Sequence, residues 1–172
     1  MPATVLVTWV TRYGSTEDVA HAVADDLLQQ GLAVHAQPLG EVATLDRYSA
    51  VVLGCALYMA RLHKDARRFL AAHREELLRR PVCIFVLGPI HADPKEFAEA
   101  ERQLGRELAQ FPWFKPVAQQ VIGGRFDPDK LGFPFRMLPP LRKVPASDAR
   151  DWDAIHAWAG HLPSLLQPSP AR

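Results

Sequence analysis

Hydrophobic and polar positions along this chain switch repeatedly between two periods. Thr4 to Val10 is an apolar, β-rich run. From Thr16 to Gln30 the apolar positions Val19, Ala20, Val23, Ala24, Leu27 and Leu28 recur at helical spacing until Gly31 stops them. Leu32 to Leu39 alternates, with Leu32, Val34 and Ala36 set against Ala33, His35 and Gln37. Ala50 to Leu53 is continuously apolar, as in a central parallel strand covered on both faces. Asp65 to Leu78 predicts a helix, Val82 to Leu87 another buried strand ended by Gly88-Pro89, and Lys95 to Gln110 a helix opened by Pro94. Val117 to Ile122 reads as a fifth strand before Gly123-Gly124. Asp151 to Leu162 is a final amphipathic helix, and Pro163 to Arg172, with three prolines, reads as a disordered tail beyond a domain spanning 1–162.

Five strands interleaved with four to five helices predict an α/β fold, a doubly wound parallel sheet with right-handed crossovers. Such sheets bind ligands beyond the carboxyl ends of their strands, where the strand order reverses. The first strand ends there in Thr11-Arg12-Tyr13-Gly14-Ser15-Thr16, which runs directly into a helix. The first N–H groups of a helix lack intrahelical partners and sit at the positive end of its dipole, so this turn is a natural anion site. Thr11, Ser15 and Thr16 add hydroxyls, and Gly14 admits close approach of the backbone. The triphosphatase pattern G-x-x-x-x-G-K-[ST] and the dinucleotide pattern G-x-G-x-x-G are both absent. Hydroxyl residues also cap helices without binding anything, and that alternative stays open.

Composition narrows the class. The 172 residues are 48% hydrophobic and 23% charged, ordinary for a globular domain. No apolar run approaches the ~18–20 residues of a membrane span, and no secretory signal is visible, so the cytoplasm is the expected compartment. Cys55 and Cys83 lie in apolar runs and form neither a disulfide framework nor a zinc site. Twenty basic and nineteen acidic residues give a net charge of +1. That says little by itself about nucleic acid, and no nucleic-acid partner is expected.

The turn T-x-x-G-S-T resembles the flavodoxin signature T-x-[ST]-G-[NST]-T, which holds the phosphate of flavin mononucleotide (FMN). Three passages sharpen the likeness: V-T-R-Y-G-S-T at Val10–Thr16, G-C-A-L-Y-M at Gly54–Met59 and V-I-G-G at Val121–Gly124. Together they are similar to the flavodoxin-domain family that includes menaquinone-dependent protoporphyrinogen dehydrogenases. The resemblance implies a flavodoxin-like five-stranded sheet in the order 2-1-3-4-5, with FMN as cofactor. Thr11, Gly14, Ser15 and Thr16 would hold the phosphate, with N–H groups of Arg12 and Tyr13. Ala56, Leu57, Tyr58 and Met59 would line one wall of the flavin ring, and Gly88, Pro89, Ile90 and His91 the other. A ligand role for His91 or His63 competes with simple solvation.

Between the fifth strand and the last helix, Arg125 to Arg150 carries six basic and three acidic residues among Phe126, Leu131, Phe133, Phe135, Met137, Leu138 and Leu141. Such a segment suits a porphyrin's propionates, an anionic membrane surface at the inner face of the membrane, or a packed lid. Pro134, Pro139, Pro140 and Pro145 interrupt the longer helix that the family likeness would put there. The resulting expectation is an FMN oxidoreductase passing electrons from a porphyrinogen-like small molecule to a quinone. Alternatives are an electron-transfer flavodoxin serving a protein redox partner, disfavoured because such carriers are typically strongly acidic, and a non-enzymatic domain of the same fold.

Overall fold

A computed structural model describes residues 3–167. In chain order its elements are β1 (Thr4–Trp9), α1 (Ser15–Gln29), β2 (Ala33–Pro38), β3 (Tyr48–Tyr58), β4 (Arg61–Leu62), α2 (Lys64–Ala72) and α3 (Arg74–Leu77). They continue with β5 (Val82–Leu87), α4 (Pro94–Leu108), β6 (Ala118–Ile122), β7 (Arg125–Phe126), α5 (Pro139–Arg142), β8 (Ser147–Asp148) and α6 (Trp152–Leu166). The long strands are all parallel and lie in the order β2-β1-β3-β5-β6, the expected 2-1-3-4-5 once the short antiparallel β4 beside β3 is set aside.

Alternation along each strand divides the core into two layers. Val5, Val7 and Trp9 of β1, Ala50 and Val52 of β3 and Phe85 of β5 face α1 and α6. Leu6, Val51, Leu53, Cys55, Ile84 and Val86 face the opposite way, against Phe69 and Leu70 of α2, Leu77 of α3 and Leu104 of α4. A parallel strand covered on both faces must be apolar at every position. This is why β3 and β5 read as unbroken runs, and why all six residues of β5 are buried.

Three boundaries differ from the sequence expectation. β3 runs from Tyr48 to Tyr58, well beyond Ala50–Leu53, so Ala56, Leu57 and Tyr58 belong to a strand and only Met59 to the turn. Pairing with β5 through Ala56 and with β4 at Leu57 and Tyr58 supplies the ladder that a local pattern does not reveal. The helix expected over Asp65–Leu78 is split at His73, whose ring turns to Glu76 (Nδ1 to Oε2, 2.5 Å), while Glu76 accepts the Leu45 N–H at 3.1 Å. α6 continues past Leu162 to Leu166 despite Pro163 within it, because Leu162 and Leu166 are both buried against the sheet. The rest of the expected tail, 168–172, lies outside the described residues.

Gly54 sits where β3 passes the Phe85 ring, and a Cβ there would overlap that ring. Phe85 is fully buried and packs edge-on against Trp158 at 6.0 Å, so it cannot yield into solvent. Gly54→Ala is expected to lower stability by about 1–3 kcal/mol, as overpacking does, measured as a shift in the urea midpoint with an unchanged slope.

Candidate functional site

The loops after β1, β3, β5 and β6 meet at the carboxyl edge of the sheet. After β1 the chain turns through Gly14 at φ 89°, a left-handed conformation that only glycine adopts without strain. Gly14 occupies the N-cap position of α1, and no side chain caps the helix. The Thr11 hydroxyl instead accepts the Gly14 N–H at 2.9 Å, which closes the turn. Thr16 is 1% exposed, and its Oγ1 has no hydrogen-bond partner. A buried hydroxyl left unpaired is costly, and here it sits beside the open amino end of a helix. Both features fit an anionic group arriving from outside the chain. The hydroxyls do not serve as caps.

An outer cavity of about 420 Å³ opens onto this turn, lined by Thr11, Arg12, Tyr13, Ser15 and Thr16 from the loop and by Ala56, Tyr58 and Met59 from β3 and its turn. An inner cavity of about 220 Å³ shares Tyr13, Ser15, Ala56 and Tyr58 and continues to Leu57, Gly88 and Ile90. Tyr58 stands between the two. The Arg12 guanidinium lies over its ring at 4.6 Å, and Phe135 meets its edge at 5.7 Å. Burial raises the Tyr58 phenol above its ordinary value, with Arg12 opposing, so it stays neutral at neutral pH. On the β2 side of the loop, a cavity of about 500 Å³ has Glu17, Asp65 and Arg68 as its charged lining, two carboxylates against one cation, and suits an anion less well.

The structure thus brings most of the expected residues together. Pro89 and His91 line neither cavity: the Pro89 carbonyl accepts the Gly124 N–H at 2.6 Å, and His91 Nδ1 is 2.7 Å from Glu96 Oε1. Glu96 also accepts the Ile90 and His91 N–H groups at 3.0 and 3.1 Å, which fixes this loop from behind. Sequence reasoning missed Arg61, Lys64 and Arg67 in the outer cavity. Their signal was the i, i+3 spacing of Lys64 and Arg67 on one face of α2. It singled out the 125–150 segment without its attachment: Arg125, Phe126, Lys130 and Leu131 cover the inner cavity.

That segment is tied down at both ends. β7 and β8 pair antiparallel, and Ala149 N–H donates to Gly124 O at 2.9 Å. The Arg150 side chain is only 5% exposed and bridges Asp148 (2.8 Å) and Asp18 of α1 (3.0 Å). The hydrogen bonds from Arg150 hold the Asp148 carboxyl below its ordinary value. A depressed native value stabilises the fold above the unfolded one and is lost as pH falls through it. Lowering pH below about 4 is therefore expected to reduce the amide protection factors at Arg125 and Phe126, corrected for the intrinsic exchange rate, before the main sheet responds. Equal protection of hairpin and sheet down to global unfolding would contradict this.

Comparison with known proteins agrees with this geometry. Residues 6–138 match the flavodoxin domain family. Oxidised flavodoxin 1 from Bacillus cereus superposes with a TM-score of 0.61 at 13% identity, over 96% of this chain and 100% of that one. A flavodoxin from Streptococcus pneumoniae TIGR4 gives 0.58 at 16% identity, over 94% and 99%. Rubredoxin oxygen:oxidoreductase from Desulfovibrio gigas gives 0.57 at 13% identity over 96% of this chain and 35% of that one, so the chain spans about a third of that protein. At these identities the superpositions speak for the fold alone. No curated protein sequence matches the chain. The flavodoxin family binds FMN. With a family match over most of its length and the sheet order to go with it, this chain belongs to the flavodoxin domain family.

Proposed function

We propose that the protein is an FMN-dependent oxidoreductase acting on a small, flat, carboxylate-bearing donor of the protoporphyrinogen class, with a quinone as acceptor. The observation that carries this reading is the cover over the inner cavity. Arg125, Phe126, Asp127, Lys130 and Leu131 line the space between Tyr58 and the Gly88–Ile90 loop, two cations against one carboxylate. A diffusing carrier must present its cofactor's edge to a protein partner, whereas a covered cavity with cations at its rim suits a small anionic molecule. A net charge of +1 also fits a near-neutral enzyme better than a steered carrier.

The residues present fit FMN. The unpaired Thr16 hydroxyl, Thr11, Ser15 and the open end of α1 would hold the phosphate. Ala56, Leu57 and Tyr58 on one side and Gly88 and Ile90 on the other would line the ring. When bound, FMN supplies reversible two-electron chemistry. The chain's own part is to orient the donor through Arg125 and Lys130 and to exclude water with Phe126, Leu131 and Tyr58. We extend the reading to a peripheral membrane contact. Phe133 and Met137 are 78% and 66% exposed among Arg136, Arg142 and Lys143, a combination suited to an anionic bilayer in which a quinone dissolves. Among the described residues no helix is long and apolar enough to cross a membrane. A second reading, an electron-transfer flavodoxin, is favoured by Met59, which leaves an apolar contact 77% exposed at the mouth of the outer cavity.

The test is an absorbance spectrum after incubation with FMN and desalting, followed by anaerobic mixing with protoporphyrinogen. Retained flavin that bleaches on mixing is the expected result; flavin that stays oxidised favours the carrier, and no retained flavin overturns the reading. Thr16→Val should weaken FMN binding about tenfold or more, the worth of a bond to a charged group. Its thermal stability should be unchanged or higher, because the buried hydroxyl has no partner to lose. Riboflavin binding as tightly as FMN would contradict the phosphate assignment.

A further inference from the structure

The outer cavity carries more positive charge than one phosphate needs. Arg12, Arg61, Lys64 and Arg67 line it, with His63 among them, and no aspartate or glutamate does. A phosphate monoester brings at most two negative charges, and the open end of α1 with the loop hydroxyls already answers it. The four cations are also not equivalent. Arg61 lies 3.8 Å from Glu107, and Arg12 is spread over the Tyr58 ring at 4.6 Å. Lys64 and Arg67 have no carboxylate partner among the described residues, although the neighbouring Arg68 has one in Asp65 at 3.6 Å. Arg67 Nε is buried without any hydrogen-bond partner. A guanidinium held inside a cavity with an unpaired buried donor is poised for an acceptor that the chain does not provide.

His63 reports the same environment. Its ring caps α2 by accepting the Asp65 N–H at 3.2 Å. Burial holds its basicity below the ordinary imidazole value, with Arg12 and Lys64 adding to the effect and Asp65 opposing it. A further anion beside it would oppose that shift and raise the His63 pKa.

We propose that Lys64 and Arg67, on one face of α2, form a second anion subsite, distinct from the phosphate loop, for a carboxylate or phosphate group of the molecule that exchanges electrons with the cofactor. The inference rests on the FMN reading above and adds to it where the partner molecule is held. A planar guanidinium and a flexible ammonium one helical turn apart suit a carboxylate or a phosphate equally. The site therefore selects for charge at that end of the partner molecule and leaves its remaining structure to the inner cavity.

Inorganic phosphate titrated into FMN-saturated protein tests this, followed by the Arg67 Nε–Hε resonance and the His63 ring signals. The expected result is a saturable shift at Arg67 and a rise in the His63 pKa while FMN stays bound. Arg67→Gln and the exposed Lys64→Gln should each weaken that phosphate binding about tenfold and change FMN affinity less than twofold. No saturable shift in the loaded protein would overturn the subsite. So would a tenfold or greater loss of FMN affinity in Arg67→Gln, because Arg67 would then serve the cofactor's own phosphate. Should the protein take up no FMN, the cofactor reading fails separately, and phosphate is titrated into the unloaded protein. Shifts at Gly14 and at Arg67 that saturate at different concentrations would then support two anion sites, and a single shared transition would overturn the second.

Discussion

The amino end of α1 lies open at the carboxyl edge of a parallel sheet, and the rest of the site is arranged around that fact. Parallel strands deliver all their outgoing loops to one edge, so the turns after β1, β3, β5 and β6 have to converge there. Gly14 in the left-handed region lets the chain leave β1 and enter α1 without a side chain in the way. The hydroxyl that could have capped the helix is spent inside the turn, on the Gly14 N–H. Thr16 is then buried with its oxygen unpaired, a local cost that a globular core does not need and an anion site does.

Carboxylates complete the arrangement by standing behind the loops. Glu107, itself buried, accepts the Leu62 N–H at 3.0 Å and fixes β4. Glu96 does the same for Ile90 and His91, and Asp148 and Asp18 hold Arg150. None of these four faces the outer cavity, whose charged lining is wholly basic. A chain that is almost neutral overall thus lines this one cavity with cations, while several of its acids brace the loops around it.

Much of this was legible in the sequence. The period of the apolar residues gives all five long strands, and the turn at Thr11–Thr16 marks the candidate anion site, because both are local patterns tied to local physics; the order of the strands was implied by the family resemblance and not by the pattern. What escaped was set by contacts between distant residues. The extension of β3 to Tyr58 depends on pairing with β5 and β4, and the break at His73 on Glu76 reaching across to Leu45. Lys64 and Arg67 were not singled out, because only the folded chain turns that face of α2 toward the Thr11–Thr16 turn. His91 drew notice as a loop histidine, yet Glu96, five residues along, holds it away from both cavities.

Strain at the mouth of the site points the same way as charge. Met59 and Ala60 join β3 to β4 with φ of 49° and 63°, both in the left-handed region and neither a glycine. Such residues cost about 1–2 kcal/mol each, and a tight antiparallel turn of this kind ordinarily recruits Asn-Gly or Gly-Gly. The turn persists because its flanks are over-determined: Leu57 pairs with Leu62, and the Leu62 N–H is bound to a carboxylate inside the protein. Glycine here would relieve the backbone but would leave no side chain at the rim. Keeping a methionine at this position trades local stability for an apolar contact beside the cavity, which is where a partner molecule or protein has to approach.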